Sequence, residues 1–404
     1  MELYIHIPFC VKKCDYCDFL SFPNCDGTER KKYISALIRE LEMISGLPSF
    51  RKIKSCFIGG GTPSIIEEEI FEPLLKCIQD NFTFEEEFEY TIEANPGTLT
   101  ERKLLLYREY GINRLSIGLQ SDRDESLKRL GRIHNRSDFV KGYETAVKCG
   151  FENINIDLMS AIPGQTVSEW KTTLENICRL GPGHISAYSL IIEEGTPLYE
   201  KYCSDPDSLC LPNEDDEREM YHITPDIMKK YGYHRYEISN YSREGAECRH
   251  NLGYWTGETY YGAGLGASSY INVNDYKALL SGIRKKDEEE SSNISGRMVR
   301  FKNTSSMNEY LEYYGEKNEF SGYTDVEILD TEDMMSEYCI LGLRTCRGIS
   351  VKEFEEKFGE DFNLHFGAVV KKYSEMKLLE KNGDRIYFTE KGFDVSNAVL
   401  CDFM

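Results

Sequence analysis

Three cysteines carry the clearest chemistry in the chain. Cys10-x-x-x-Cys14-x-x-Cys17 places three thiols within eight residues, close enough for one turn of backbone to gather them around a metal centre. Cubane iron–sulfur clusters usually take four thiolates, so three protein thiolates leave one iron open to a small ligand. Zinc is the rival occupant, but a closed structural zinc site needs a fourth Cys or His nearby. The nearest candidates, His6 and Cys25, lie outside the triplet. The chain holds 14 cysteines in all. Cys56, Cys77, Cys149, Cys178 and Cys339 sit singly inside apolar patterns and read as small buried hydrophobes.

The elements that position this triplet follow from the hydrophobic pattern. Short apolar runs at 3–7, 53–58, 89–93, 114–118, 154–159 and 185–190 read as strands. Helical periodicity covers 28–45, 67–80, 136–149 and 166–180, and Thr100 is an N-cap candidate for another helix. Six strand–helix units in series imply a parallel sheet, and the length suits a partial (β/α)6 TIM-type barrel of the α/β class. Such barrels build their sites at the C-terminal ends of the strands. The cysteine triplet lies there. So do Gly59-Gly60-Gly61-Thr62-Pro63, whose glycines allow a ligand close to the backbone, and Glu93, Gln120 and Asp157, with Arg132 on the following segment.

After about residue 195 the pattern changes. A helix is expected over 214–231, residues 234–272 are rich in Gly and Tyr, and the charged stretch 281–298 reads as an exposed acidic loop. From about 330 a helical unit begins, with a helix opening at 349–351 and a hairpin strand at 385–388, an order that resembles a winged helix within a C-terminal α+β region. The expected organisation is therefore 1–200, 201–329 and 330–404.

The chain has 404 residues, 40 % hydrophobic and 29 % charged, enough to bury a large core. Its 69 acidic against 48 basic residues give a net charge of −21. That surface repels phosphate backbones, so nucleic acid is not an expected partner. The winged-helix-like segment, with 10 Lys and Arg against 15 Asp and Glu, is expected to pack or cover rather than to bind DNA. No apolar run approaches the ~18 residues of a spanning helix. The N-terminus has no basic segment leading into an apolar stretch, so the expected location is the cytoplasm.

Tyr4-Ile5-His6-Ile7-Pro8-Phe9 ahead of the triplet resembles the radical S-adenosylmethionine (SAM) superfamily. The resemblance implies that the open iron of a 4Fe–4S cluster chelates the amino and carboxylate groups of SAM, whose reductive cleavage gives a 5′-deoxyadenosyl radical. YIHIPFC, GGGTP, TIEANPG, RLSIGLQS, IDLMSAIPGQT and FTEKG together resemble the oxygen-independent coproporphyrinogen III oxidase-like family over nearly the whole chain. By that resemblance Tyr4, Gly60, Glu93 and Ala267 contact the cluster-bound SAM. Tyr16, Gly61, Thr62, Gln120, Arg132, Asp157 and Ile191 line a second SAM site.

Two features separate the branches of this family. The dehydrogenase branch continues the triplet as C-x-x-x-C-x-x-C-x-C, whereas position 19 here is Phe19. His250-Asn251-Leu252-Gly253-Tyr254-Trp255 matches the HNxxYW motif of the heme-chaperone branch. The resemblance thus implies heme bound by His250, Asn251, Tyr254 and Trp255. The imidazole would serve as axial ligand and the rings as flat apolar surface. Without that context His250 reads as a satisfied core histidine, and Cys248 is an alternative ligand. Ser268-Ser269-Tyr270 departs from the His-Ser-Tyr common in the branch. The implied partners are heme and apo-hemoproteins of the respiratory chain, reached from the membrane face without spanning it. The alternatives are oxidative decarboxylation of coproporphyrinogen III, another tetrapyrrole-acting radical enzyme, and an interaction protein with a purely structural cluster.

Overall fold

The structure, a computed structural model, describes residues 1–281, 298–317 and 322–404. Strands β1 (Glu2–Ile7), β2 (Lys52–Gly60), β3 (Thr83–Ala94), β4 (Arg114–Gln120), β5 (Asn153–Ser160) and β6 (His184–Ser189) lie side by side in sequence order. Every neighbouring pair is parallel. This unbroken winding in one direction is that of a (β/α) barrel rather than of a doubly wound sheet. The sheet stays open, since β1 and β6 are not paired with each other.

The crossover helices are α1 (Gly27–Ser45), α2 (Glu68–Asn81), α3 (Glu101–Glu109), α4 (Asp124–Arg129), α5 (Arg136–Lys148) and α6 (Val167–Leu180). Their starts are fixed locally. Asp26, Asn135 and Thr166 form capping boxes with the residue three positions on, and the Thr100 hydroxyl caps α3. Apolar faces such as Leu37 and Leu41 of α1 and Trp170 and Leu174 of α6 share one continuous core with Leu115, Ile117, Ile154, Ile156 and Ile185 of the sheet.

Alternate residues of β4 to β6 turn the other way, into the barrel, and they are polar. Arg114, Ser116, Asn155, His184 and Ser186 are all buried. Parallel strands covered on both faces ordinarily read as continuous apolar runs. Here one face packs on helices and the other lines a polar interior.

The region after β6 extends the sheet at both edges. The helix expected over 214–231 is α8 (Glu214–Lys230), which follows the short α7 (Pro197–Ser204). Strands β7 (His234–Arg235) and β8 (Asn240–Ser242) add antiparallel beside β6. Helix α9 (Arg249–Thr256) leads to β9 (Tyr260–Ala263), a seventh parallel strand seated beside β1. Strands β10 (Ser268–Asn272), β11 (Met298–Lys302) and β12 (Thr324–Leu329) continue antiparallel from it. All but the ends of the expected loop 281–298 lies outside the described residues; Ser281 ends a helix and Met298 opens β11.

The C-terminal segment has the winged-helix order. Helix Thr331–Gly342 is followed by β13 (Ile349–Ser350), helices Val351–Phe358 and Phe362–Glu375, then the hairpin of β14 (Leu379–Asn382) and β15 (Arg385–Phe388). It closes around its own core of Phe354, Phe362, Phe366, Ile386 and Phe403.

Candidate functional site

The loop leaving β1 presents Cys10, Cys14 and Cys17 as free, partly exposed thiols. They line a cavity of 120 Å³ together with Tyr16, Gly60, Gly61, Thr62, Glu93, Gln120, Arg132 and Asp157. Hydrogen-bond donors are aimed at two of the sulfurs. Arg132 Nη1 donates to Cys14 Sγ at 3.5 Å and Nη2 to Asn95 Oδ1 at 2.7 Å. Asn95 Nδ2 donates to Thr62 Oγ1 at 2.9 Å, which leaves the Thr62 hydroxyl hydrogen for Cys10 Sγ at 3.6 Å. A cation and a hydroxyl therefore stand ready to stabilise thiolate charge. Burial pushes the Cys17 thiol up to about 11, a cost that ligation to a metal would offset. Among the described residues no three His, Cys, Asp or Glu side chains converge tightly enough to hold one metal ion. A cubane needs less convergence, because each thiolate binds a different iron.

The glycines after β2 are dictated by contacts. Gly60 has φ +108°, and a Cβ there would lie 2.5 Å from the His6 ring; at Gly61 it would lie 2.7 Å from the Phe9 carbonyl oxygen. His6 cannot yield easily. Leu20 O only accepts, so His6 Nε2 donates to it at 2.9 Å and Nδ1 accepts from the Tyr4 hydroxyl at 3.0 Å. Gly60 N–H donates to Glu93 Oε2 at 3.0 Å. Burial, reinforced by Asp157, raises Glu93 to about 8. A buried carboxyl of this kind gains by meeting a cation such as a ligand's ammonium group.

A second cavity of 840 Å³ shares Phe19, Gly60, Glu93, Ser116 and Asp157 with the first. Tyr4, Phe57, Tyr188, Tyr254, Tyr260 and Tyr270 give it an aromatic lining, and Ala267, His250 and Asn251 also line it. Glu337 and Leu341 of the winged-helix-like unit form part of its wall, with Glu337 held by Arg300 at 2.6 Å.

Helix α9, which carries the HNxxYW residues, is held from β3 and β1. Glu89 Oε2 accepts the Arg249 N–H at 3.0 Å, and Oε1 accepts the His250 N–H at 3.2 Å and the Cys248 thiol at 3.4 Å. Gly253 rests on Glu2, whose Oε1 lies 2.0 Å from where a Cβ would project, and Gly257 at φ +68° ends the helix. His250 is 1 % exposed. Its Nδ1 pairs with Ser55 Oγ at 2.8 Å and its Nε2 with the Tyr254 hydroxyl at 2.9 Å. Burial first, then Arg114, lower its pKa to about 3, so the ring is neutral at physiological pH.

Two residues expected at the site are not brought to either cavity. Ile191, beyond the end of β6, is 67 % exposed and lines neither cavity. Trp255 packs under Arg344 of the winged-helix-like unit, with the guanidinium 5.9 Å from its ring. Conversely Asn95, Arg114, Ser116 and Asn155 join the site without having been singled out. For Arg114, Ser116 and Asn155 the signal was polar residues at every second position of strands otherwise made of Leu and Ile, whereas Asn95 lies just past the end of β3.

The fold and the cysteine loop define a radical SAM protein. The Radical SAM superfamily model matches residues 4–177 and the HemN C-terminal domain model matches residues 329–395. The solved structure of coproporphyrinogen III oxidase (HemN) from Escherichia coli, a radical SAM enzyme, superposes with TM-score 0.81. It is 20 % identical, with 100 % of this chain and 89 % of that one covered, a likeness of fold. The protein named heme chaperone HemW from Bacillus subtilis is 35 % identical over 99 % of this chain and 98 % of its own. That of Lactococcus lactis is 35 % identical over 99 % and 96 %. The chain belongs, within the radical SAM superfamily, to the family of proteins named heme chaperone HemW.

Proposed function

We propose that the chain is a heme carrier that also holds a 4Fe–4S cluster and SAM, and that it delivers heme to apo-hemoproteins, those of the respiratory chain among them. The observation that carries the reading is the 840 Å³ aromatic cavity sharing a wall with the cysteine loop. Its volume is in the upper range of ligand pockets and its lining suits a flat, largely apolar ligand. Cys10, Cys14 and Cys17 hold the cluster, with Arg132 and Thr62 supporting thiolate charge. Gly60 gives close backbone approach and Glu93 accepts from the N–H groups of the SAM amino group. When bound, the reduced cluster supplies an electron to SAM. His250 Nε2 ligates heme iron once the Tyr254 hydroxyl turns off it. Residues 1–200, 201–329 and 330–404 act as cluster unit, heme-motif region and cover. Delivery takes place in the cytoplasm and at the membrane face; no helix among the described residues is long and apolar enough to cross a membrane.

The test is a heme titration of anaerobically reconstituted protein. A stoichiometric Soret band that His250→Ala abolishes supports the reading, and absence of any heme complex in the parent protein overturns it. One observation favours a second reading, coproporphyrinogen III dehydrogenation: Tyr16, Gly61, Thr62, Gln120, Arg132 and Asp157 gather at the cysteine cavity. Phe19, 57 % exposed where the dehydrogenases have a fourth cysteine, stands against it. Anaerobic turnover with coproporphyrinogen III and SAM decides between them.

A further inference from the structure

Arg114 is a large cation on the inner face of β4, and among the described residues its side chain has no hydrogen-bond or ion-pair partner. It is 2 % exposed and lines the larger cavity, and its Nε is buried without a hydrogen bond. Among the described residues no carboxylate oxygen lies within 4.0 Å of its guanidinium. The acids nearest in charge are committed elsewhere. Asp157 accepts from Asn155 Nδ2 at 2.7 Å and from the Ser116 hydroxyl at 3.2 Å. Both oxygens of Glu89 are taken by the start of α9. Cys248, also close in charge, is a neutral thiol, since burial pushes its pKa far up. A guanidinium cannot shed its proton, so a buried one without a bonded anion is costly unless a ligand supplies that anion.

We propose that Arg114 is the receptor for a carboxylate of the ligand that fills the 840 Å³ cavity. The inference rests on the proposed function in one respect: the ligand is taken to be a tetrapyrrole, whose carboxylates are its propionates. SAM also bears a carboxylate, but in the proposed function that group is chelated at the cluster, and the cysteines line the smaller cavity, where the cation is Arg132 and not Arg114. Arg114 lines only the larger, aromatic chamber. One propionate therefore points into the barrel, towards Arg114, with the ring system stacked among Tyr188, Tyr254 and Tyr260. The other cations at that chamber, Arg300 and Lys302, are held by Glu337 and Asp325.

The experiment compares binding of iron protoporphyrin IX and of its dimethyl ester to the reconstituted full chain. The parent protein is expected to prefer the free acid by about 10- to 100-fold, the worth of a buried charged hydrogen-bond pair. Arg114→Gln should erase that preference by weakening the free acid alone, and Arg114→Lys should keep part of it. The ester comparison in the parent protein needs no variant, so a folding defect in Arg114→Gln leaves the inference testable. Equal affinity for acid and ester in the parent protein overturns the role of Arg114 while leaving heme carriage intact. Failure to bind either tetrapyrrole overturns the proposed function itself. In that case a loss of SAM affinity in Arg114→Lys would reassign the receptor to SAM and refute the propionate assignment.

Discussion

Glu89 is a strand residue whose replacement should damage the heme-motif helix. It is 5 % exposed, and its carboxylate accepts the first main-chain N–H groups of α9 and the Cys248 thiol. Glu89→Ala strands two main-chain donors in a buried place, each costing about 1–3 kcal/mol, and removes a negative charge from a helix N-terminus, worth about 0.5–2 kcal/mol. It also relieves the desolvation of the carboxylate, which offsets part of the loss. The expected net effect is a destabilisation of about 3 kcal/mol. Glu89→Gln keeps one carbonyl acceptor and should cost roughly half of that. Urea unfolding followed by circular dichroism measures both, and heme titration reads whether His250 and Tyr254 have lost their placement. A Glu89→Ala protein within about 0.5 kcal/mol of the parent would refute the claim that this carboxylate anchors α9.

Other substitutions probe neighbouring parts of the account. Gly60→Ala combines a left-handed φ with a Cβ 2.5 Å from His6, so it should cost about 3 kcal/mol and abolish SAM binding by displacing the Gly60–Glu93 hydrogen bond; calorimetric SAM titration checks the second effect. Tyr254→Phe removes one neutral hydrogen bond, about 1 kcal/mol, and frees His250 Nε2. Heme should then bind more tightly, and weaker binding would argue that the tyrosine, not the histidine, holds the iron. Burial raises Glu2 to about 8, so the folded protein retains a proton that the unfolded chain releases near 4.5. That stability is complete below 4.5 and is lost as pH rises through about 8. Between pH 6.5 and 8 Glu2→Gln should therefore spare about 2 kcal/mol of the parent's loss, read from urea midpoints across that range.

The six parallel strands and their helices were legible because Leu and Ile recur on helix-packing positions, and the capping residue Thr100 marks one helix start. The cysteine triplet was legible because all three cysteines fall in one short loop. What the sequence hid depends on pairings between distant segments. Tyr260–Ala263 joins β1 as a seventh parallel strand, and nothing local in a Tyr- and Gly-rich stretch distinguishes that from a loop. The strand at 89–93 begins at Thr83, because its first residues are charged and exposed and so lack the apolar pattern. Trp255 lies within a heme-branch motif, yet its ring meets Arg344, a contact made only once the C-terminal unit folds against α9. Arg114 sat inside the quoted RLSIGLQS motif, where its inward direction depends on strand register against β3 and β5.

The central claim is that the aromatic cavity carries heme for delivery rather than a porphyrinogen for decarboxylation. Its most direct test is to load the reconstituted protein anaerobically with one equivalent of heme and mix it with an apo-hemoprotein, following the Soret band of each partner. The account predicts that the band leaves this protein and appears in the acceptor. A protein that takes up no heme, and instead converts coproporphyrinogen III to protoporphyrinogen with consumption of SAM, would contradict it.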